Sequence, residues 1–101
     1  MVVFFDIDGT VVDNDTQIIP DSTVEAIRLL RENGHLSVVN TGRPYGHVDP
    51  RIKAMDFDGW ICACGMEVIL KGEYLYRQVL SHEESVYVVE NATRCGMLIQ
   101  A

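Results

Sequence analysis

Two aspartates directly after the first apolar segment are the residues best suited to do chemistry. Asp6 and Asp8 follow Met-Val-Val-Phe-Phe, and Gly9 and Thr10 come next. Two carboxylates this close repel each other, and a cation between them relieves the repulsion. Hard carboxylate oxygens favour Mg²⁺. The sequence therefore predicts a divalent-metal site at Asp6 and Asp8.

The segment before these acids predicts the element that positions them. Residues 1–5 form a short apolar run rich in valine and phenylalanine, which is typical of a strand buried on both faces. In open α/β sheets, ligands bind just beyond the carboxyl ends of such strands. We therefore expect Asp6 and Asp8 at the ligand-binding edge of a sheet. The turn formers at positions 13–15 predict a solvated loop over that edge.

A second polar motif, Thr41-Gly-Arg-Pro44, follows a predicted strand at Leu36–Asn40. Before that strand, residues 21–34 carry an apolar stripe at helical spacing, a capping box that starts at Ser22 and a terminal Asn-Gly pair. Strand, helix and strand at this spacing predict parallel strands with a right-handed crossover. Thr41 then reaches the same sheet edge as the aspartates. Its hydroxyl and the backbone around Gly42 are suited to hold a phosphate there.

The pattern of Asp6 to Gly9 recurs at Asp56-Phe-Asp58-Gly59, but in a different structural position. A short helix is predicted from Asp49-Pro50 to about Met55, with Asp49 as its N-cap. A strand is predicted at Trp60–Ala63. The repeated motif therefore precedes a parallel strand and lies at the opposite sheet edge, so we predict an ordinary connecting turn there.

The C-terminal third predicts a hairpin followed by a helix. Met66–Leu70 and Glu73–Val79 have the pattern of two antiparallel strands. Ser81 is predicted to cap a helix that runs to about Arg94 with Gly96 as its C-cap, and residues 97–101 predict a further strand. The predicted fold class is α/β, a partial Rossmann-like parallel sheet with helices, followed by a β-hairpin and the start of an α+β unit.

Composition and charge exclude several classes of protein. The 101 residues, 48% hydrophobic and 23% charged, are typical of one globular domain. A formal charge of −7 argues against non-specific binding to nucleic acid or anionic membrane, but permits a small phosphorylated ligand near a local cation. Neither a secretory signal nor a membrane-spanning run is visible, which predicts the cytoplasm. Cys62, Cys64 and Cys95 predict buried free thiols rather than a disulfide or zinc site.

Together, Asp6-Ile-Asp-Gly-Thr10 and Thr41-Gly-Arg-Pro44 resemble the first two motifs of the haloacid dehalogenase (HAD) superfamily of phosphatases, with spacing similar to the Cof-type branch. The resemblance implies that Asp6 is a nucleophile that forms an aspartyl-phosphate. Asp8 would be the general acid and then the general base. Mg²⁺ would be held by the Asp6 side chain and the Asp8 backbone carbonyl.

The resemblance also implies the groups that bind phosphate. Thr41, Gly42 and the N–H groups around Gly9 and Thr10 would contact it. Arg43 would either contact phosphate or substrate, or pair with an acid. The expected substrate is a small phosphorylated metabolite such as a sugar phosphate.

The sequence departs from the family pattern in two motifs. Lys53 and Lys71 are the only lysines, neither lies where the lysine of the third motif belongs, and the fourth, acidic motif is absent. Cys64 also replaces an asparagine common in relatives. Residues 1–80 would then be the N-terminal part of the core and residues 81–101 the beginning of a cap, with little turnover expected from this chain alone. The alternative is a non-catalytic domain that binds metal weakly and forms a homodimer through an exposed sheet edge.

Overall fold

The computed structural model describes residues 1–97, which form one open five-stranded sheet with helices. The strands lie in the order of the sequence; the first two pairings are parallel and the last two antiparallel. This mixed α/β sheet confirms the predicted fold class. The strand predicted at residues 97–101 lies, apart from Met97, outside the described residues. The elements are β1 (Val2–Phe5), α1 (Asp21–Glu32), β2 (Leu36–Asn40), α2 (Pro50–Lys53), β3 (Gly59–Cys62), β4 (Glu67–Leu70), β5 (Glu73–Arg77) and α3 (His82–Arg94).

The β1-α1-β2 unit has the predicted parallel arrangement. Phe5 pairs with Val39 in the register of the two strands. Asp6 therefore follows β1 at the same sheet edge at which Thr41 follows β2. This placement is what brings the two polar motifs together.

The hydrophobic core lies on one face of the sheet. Val39 and Trp60 are buried there together with Ile27 of α1 and Ile52 of α2, and Phe5 packs against them. The order β1, β2, β3 advances across the sheet in one direction, so two right-handed crossovers place both helices on the same side.

The prediction that β1 is buried on both faces is wrong. Val2 and Phe4 are 45% and 58% exposed, and within residues 1–97 β1 lies at the edge of the sheet and pairs with β2 alone. A continuous apolar run is typical of a doubly covered strand, but coverage depends on which elements pack on each face. Here α1 and α2 cover only the face of Val3 and Phe5.

The predicted helix starts at Ser22 and Ser81 have different outcomes. The capping box at Ser22 is wrong, because α1 begins at Asp21 and its N-cap residue, Pro20, makes no side-chain cap bond. At α3, Ser81 and Glu84 form a reciprocal capping box with two 3.1 Å bonds. α3 has no buried residue. No helix of residues 1–97 has both the length and the apolarity needed to cross a membrane.

Candidate active site

The segment after β1 is a tight turn anchored by Ile7. Ile7 is fully buried, and its carbonyl accepts hydrogen bonds from the N–H groups of residues 10–12 at 3.0–3.2 Å. Asp6 and Asp8 flank this buried residue, and both are exposed. One oxygen of Asp6, Oδ1, accepts from the Ile7 N–H at 2.9 Å. The buried isoleucine therefore turns the two acids outward at the carboxyl end of the strand.

Gly9 is required by the geometry of this turn. Its φ is +78°, and a Cβ would lie 2.9 Å from Asn14 Nδ2. Its N–H donates to the Val12 carbonyl at 2.8 Å, and the Thr10 N–H donates to the Ile7 carbonyl at 3.2 Å. In this geometry both N–H groups bond within the turn, and phosphate contacts at Gly9 and Thr10 stay a prediction. The sequence pattern does not reveal this, because the competing acceptors come from the turn itself.

Thr41 lies buried at the end of β2. Its N–H donates to the Ile61 carbonyl at 2.9 Å, and its Oγ1 accepts from the Arg43 N–H at 3.1 Å. A hydroxyl that accepts one hydrogen bond can still donate its own proton. Thr41 therefore fixes the loop that follows β2, and its hydroxyl keeps a donor for an anion.

Arg43 joins the two motifs directly. Its guanidinium holds the Asp8 carboxylate in a two-point contact, with Nε 3.1 Å from Oδ2 and Nη2 bonded to Oδ1. The Arg43 and Asp8 side chains are 40% and 44% exposed. Of the two roles left open for Arg43, pairing with an acid is the one this structure contains. The fork geometry is specific to arginine, because lysine has no second fixed donor.

Asp49 and Arg51 extend the charged cluster, although the sequence pattern predicts neither of them at the site. Asp49 caps α2 by accepting from the Arg51 N–H at 2.8 Å, and the Arg51 guanidinium returns to the same carboxylate. The hydrogen bond from Arg51 and the nearby charge of Arg43 hold the pKa of Asp49 below its usual value. Both residues line a small cavity together with Asp8 and Arg43. The sequence signal here, an aspartate directly before Pro50, predicted only the helix cap.

A left-handed turn at Ala63–Gly65 supports the loop after β2. Ala63, Cys64 and Gly65 have φ values of 49°, 55° and 93°. The Ala63 N–H donates to the Arg43 carbonyl at 2.9 Å, and the Cys64 N–H to the Thr41 carbonyl at 3.3 Å. Non-glycine residues in this conformation are strained, and such strain is concentrated at functional sites. The turn thus holds the polar loop from the β3 side.

The three cysteines are free, as predicted, but they are not all buried. Only Cys62 is buried, and Cys64 and Cys95 are exposed. Burial raises the pKa of Cys62 to about 11, which leaves that thiol unreactive. Cys64 is exposed because it lies in the turn after β3 rather than in the strand. Its Sγ would be 3.4 Å from a Cβ at Gly42.

A cleft of about 460 Å³ opens beside the Arg43 guanidinium, lined by Gly42, Arg43, Pro44 and His47. It adjoins the loop that Thr41 and the left-handed turn fix in place. The cleft provides room for a ligand group next to Arg43, the residue that pairs with Asp8.

The repeated motif before β3 has a structural role, as predicted. Asp58 accepts from the Ser37 N–H at 2.9 Å and pairs with Arg31 at 3.2 Å. Burial alone would raise the pKa of Asp58, but these contacts outweigh it and hold the pKa below its usual value. Ser37 lies near the start of β2, so Asp58 is at the sheet edge opposite Asp6. Asp58 therefore joins α1 to the sheet.

The residues present fit a weakly held magnesium ion. In residues 1–97, no group of three or more histidine, cysteine or acidic side chains could hold a metal. Mg²⁺ commonly keeps several waters and binds through one or two carboxylates and substrate phosphate. The Asp6 carboxylate is exposed and accepts at Oδ1 from the Ile7 N–H, whereas the Asp8 carboxylate is engaged by Arg43. The backbone carbonyl of Asp8 is therefore the Asp8 oxygen better suited to a metal.

Neither lysine of the chain serves this site. Lys53 lies over the Tyr45 ring, with Nζ 4.2 Å from its centroid. Lys71 is exposed in the hairpin turn, and its N–H donates to the Asp58 carbonyl at 2.8 Å. In the described part of the chain, the cation that contacts a site aspartate is Arg43.

Sequence comparisons place the chain among known hydrolases. Residues 3–100 match the family model of haloacid dehalogenase-like hydrolases. The chain is 32% identical over 79 residues to "Putative phosphatase YkrA" of Bacillus subtilis (strain 168), a match that covers 78% of this chain and 30% of that protein. The chain thus spans about a third of this relative.

Solved structures show the same relationship. A hypothetical protein from Geobacillus kaustophilus HTA426 superposes with a TM-score of 0.81 and 35% identity, covering 94% of this chain and 37% of that one. The HAD subclass IIB sugar phosphatase BT4131 superposes with a TM-score of 0.76 and 29% identity, covering 94% of this chain and 38% of that one. With its fold, its paired motifs and a family match along nearly its whole length, the chain belongs to the haloacid dehalogenase-like hydrolases.

Proposed function

We propose that this chain carries the nucleophile half of a Mg²⁺-dependent phosphomonoesterase that acts on a small phosphorylated metabolite. The observation that supports this most is the two-point contact of Arg43 with Asp8, because it brings the loop after β2 onto the acids after β1. The similarity to a sugar phosphatase supports a sugar phosphate as the substrate class. The free thiols support a reducing compartment, and we propose the cytoplasm.

In the proposed reaction, the Asp6 carboxylate attacks phosphorus and displaces the ester oxygen. Asp8, in its protonated form, gives that proton to the leaving alcohol and becomes a carboxylate, and a phosphoryl group remains on Asp6. Asp8 then takes a proton from water, which attacks the aspartyl-phosphate and returns Asp6 with release of phosphate. Mg²⁺, when bound at Asp6 and the Asp8 carbonyl, supplies charge neutralisation for the phosphoryl oxygens.

The loop after β2 would position the phosphate during these steps. Thr41 has a hydroxyl proton to donate, and Gly42 exposes backbone in a cleft beside it. A phosphate dianion would compete with Asp8 for the Arg43 guanidinium, since both anions fit its fork. Binding of substrate would therefore release Asp8 for proton transfer.

The second candidate function is a non-catalytic domain that binds metal weakly. It is favoured by the position of the two lysines, one over Tyr45 and one in the hairpin turn. A phosphate held at Asp6 and Thr41 then lacks a lysine to bridge it to the nucleophile. For the chain of residues 1–101 we therefore expect little turnover, with residues 1–80 as part of a core and residues 81–101 as the beginning of a cap.

Two measurements on the same samples test these proposals. Amide chemical shifts during Mg²⁺ titration should move around Asp6–Thr10, and this response should be lost in Asp6→Asn. Asp56→Asn is the matched control, because it makes the same change in the repeated motif. Hydrolysis of p-nitrophenyl phosphate with Mg²⁺ should be close to background.

The outcomes separate the two functions. Shifts centred on Asp56–Asp58, or unchanged by Asp6→Asn, would contradict the proposed metal site. Robust hydrolysis that disappears in Asp6→Asn but persists in Asp56→Asn would show that the chain is a complete catalyst and would exclude the non-catalytic alternative.

A further inference from the structure

The loop after β2 is tied to the segment that follows β3 on both sides of Pro44. Before Pro44, the Arg43 carbonyl accepts from the Ala63 N–H at 2.9 Å. After Pro44, the Tyr45 N–H donates to the Oε1 atom of Glu67 at 3.2 Å. Glu67 is the first residue of β4. The loop therefore has one anchor from a backbone N–H and one from a carboxylate side chain.

Pro44 makes these two anchors effective in fixing Arg43. The proline ring holds φ at −60°, so the segment between the Arg43 carbonyl and the Tyr45 N–H keeps a single soft backbone angle, the ψ of Pro44. The Arg43 N–H is bonded as well, to Thr41 Oγ1 at 3.1 Å. The direction of the Arg43 side chain is therefore set by bonds on either side of it, and along that direction Nε lies 3.1 Å from Asp8 Oδ2.

Glu67 is well placed to hold the loop. Its backbone is paired with Cys62 of β3 and with Arg77 of β5, so its carboxylate projects from a strand with neighbours on both sides. The residue is partly buried, and a hydrogen bond from an N–H to a carboxylate is stronger than one to a neutral acceptor. Its bond to the Tyr45 N–H therefore joins the loop to a fixed part of the sheet.

We propose that Glu67 is a positioning residue, which holds Arg43 in place for Asp8 and for the substrate phosphate by accepting the hydrogen bond from Tyr45. This inference rests on the proposed function, because the phosphate contact of Arg43 belongs to it. The negative charge of Glu67 by itself opposes a bound anion. A favourable effect of Glu67 on phosphate binding must therefore come from the geometry of the loop.

Three variants of the chain of residues 1–101 separate geometry from charge. Glu67→Met removes the acceptor and keeps the length of the side chain, whereas Glu67→Gln removes the charge and keeps a carbonyl acceptor. Glu73→Met is the matched control, because it removes an exposed acid from the same hairpin. Inorganic phosphate, added with Mg²⁺ and followed by the amide shifts of residues 41–43, should bind about fivefold more weakly to Glu67→Met than to Glu73→Met. Glu67→Gln should behave like the wild type.

A measurement without phosphate tests the positioning directly. Exchange of the Arg43 Nε–H with water should be faster in Glu67→Met than in the wild type, Glu67→Gln and Glu73→Met, because the two-point contact with Asp8 loosens. Circular dichroism confirms folding, and Glu67→Ala replaces Glu67→Met should the latter fail to fold. If phosphate does not bind the wild type, the proposed function is contradicted at this loop, and the Nε–H exchange alone decides the role of Glu67.

The alternative anchor is the Tyr45 ring, which lies edge-on to Trp60 with 5.4 Å between the ring centroids. Unchanged Nε–H exchange of Arg43 in Glu67→Met, or a phosphate affinity equal to that of Glu73→Met, would overturn the proposal and leave the loop to this ring and the Ala63 bond. Equal effects of Glu67→Met and Glu67→Gln would also overturn it, because the charge of Glu67 rather than its acceptor would then be the cause.

Discussion

Asp6-Ile-Asp8-Gly9 and Asp56-Phe-Asp58-Gly59 have the same pattern and opposite roles. The first follows β1, and its Asp8 is 44% exposed and held by a side chain of the other motif. The second precedes β3, and its Asp58 is 10% exposed and held by backbone and side chain of β2 and α1. A carboxylate fixed by backbone donors joins structural elements, whereas an exposed one at the carboxyl end of a strand is accessible to a ligand.

The middle residues of the two motifs act alike, and the glycines do not. Ile7 and Phe57 are both buried in the core. Gly9 has a left-handed conformation, while Gly59 lies within β3 where a Cβ would be 3.1 Å from the Ile69 carbonyl. One glycine is required by its backbone angle and the other by lack of space. Stability measurements separate these two reasons.

The largest effect is expected for Gly59→Val. The added side chain meets the Ile69 carbonyl, Leu70 and Val38 within 3.1–3.4 Å, and overpacking of this kind should lower the free energy of unfolding by about 3 kcal/mol. Urea denaturation measures the loss. Gly46→Val is the control, since nothing lies within 4 Å of a Cβ there. Equal losses for both variants would contradict close packing at Gly59.

Asp58→Asn should cost about 2 kcal/mol, because a buried charge-assisted contact to Ser37 and Arg31 is lost. The pKa of Asp58 is lowered in the folded state, so its stabilisation is complete above about pH 4 and disappears as the pH falls through the folded pKa. The difference between wild type and variant should therefore shrink in acid. Asp56→Asn serves as control; a difference that grows in acid would be inconsistent with this account.

Gly9→Ala should cost about 1 kcal/mol, the strain of an L residue at a φ of +78°. Gly9→Asn should cost less, because asparagine tolerates the left-handed conformation better. Thermal or urea unfolding of the two variants gives the comparison. If asparagine is no better than alanine, the cause is contact with Asn14 rather than the backbone angle.

The smallest effect is expected for Asp8→Asn, at most about 1 kcal/mol, since the pair with Arg43 is partly exposed. Salt should reduce this difference further, which urea denaturation at low and high ionic strength can detect. A loss as large as that of Asp58→Asn would mean that the two motifs are both structural, and the contrast between them would fail.

Much of the site could be predicted from local sequence. The order of strands and helices placed Asp6 and Thr41 at one edge and Asp58 at the other, because the direction of a parallel strand follows from the crossover. The role of Arg43 stayed open, since its partner is 35 positions away. The use of the Gly9 and Thr10 N–H groups inside their own turn was missed, because it depends on the exact backbone path.

The sequence by itself determined the chemical groups, the strand ends at which they lie and the parallel β1-α1-β2 unit. These features follow from the spacing of apolar residues and from the capping and turn residues at the ends of helices and strands, which act over a few positions. Only the tertiary structure decided that α1 and α2 cover the same face of the sheet, that Phe4 is left exposed and that Cys64 is outside the core. Whether a strand face is covered depends on the packing of elements far apart in the chain. The composition of an apolar run does not identify those elements.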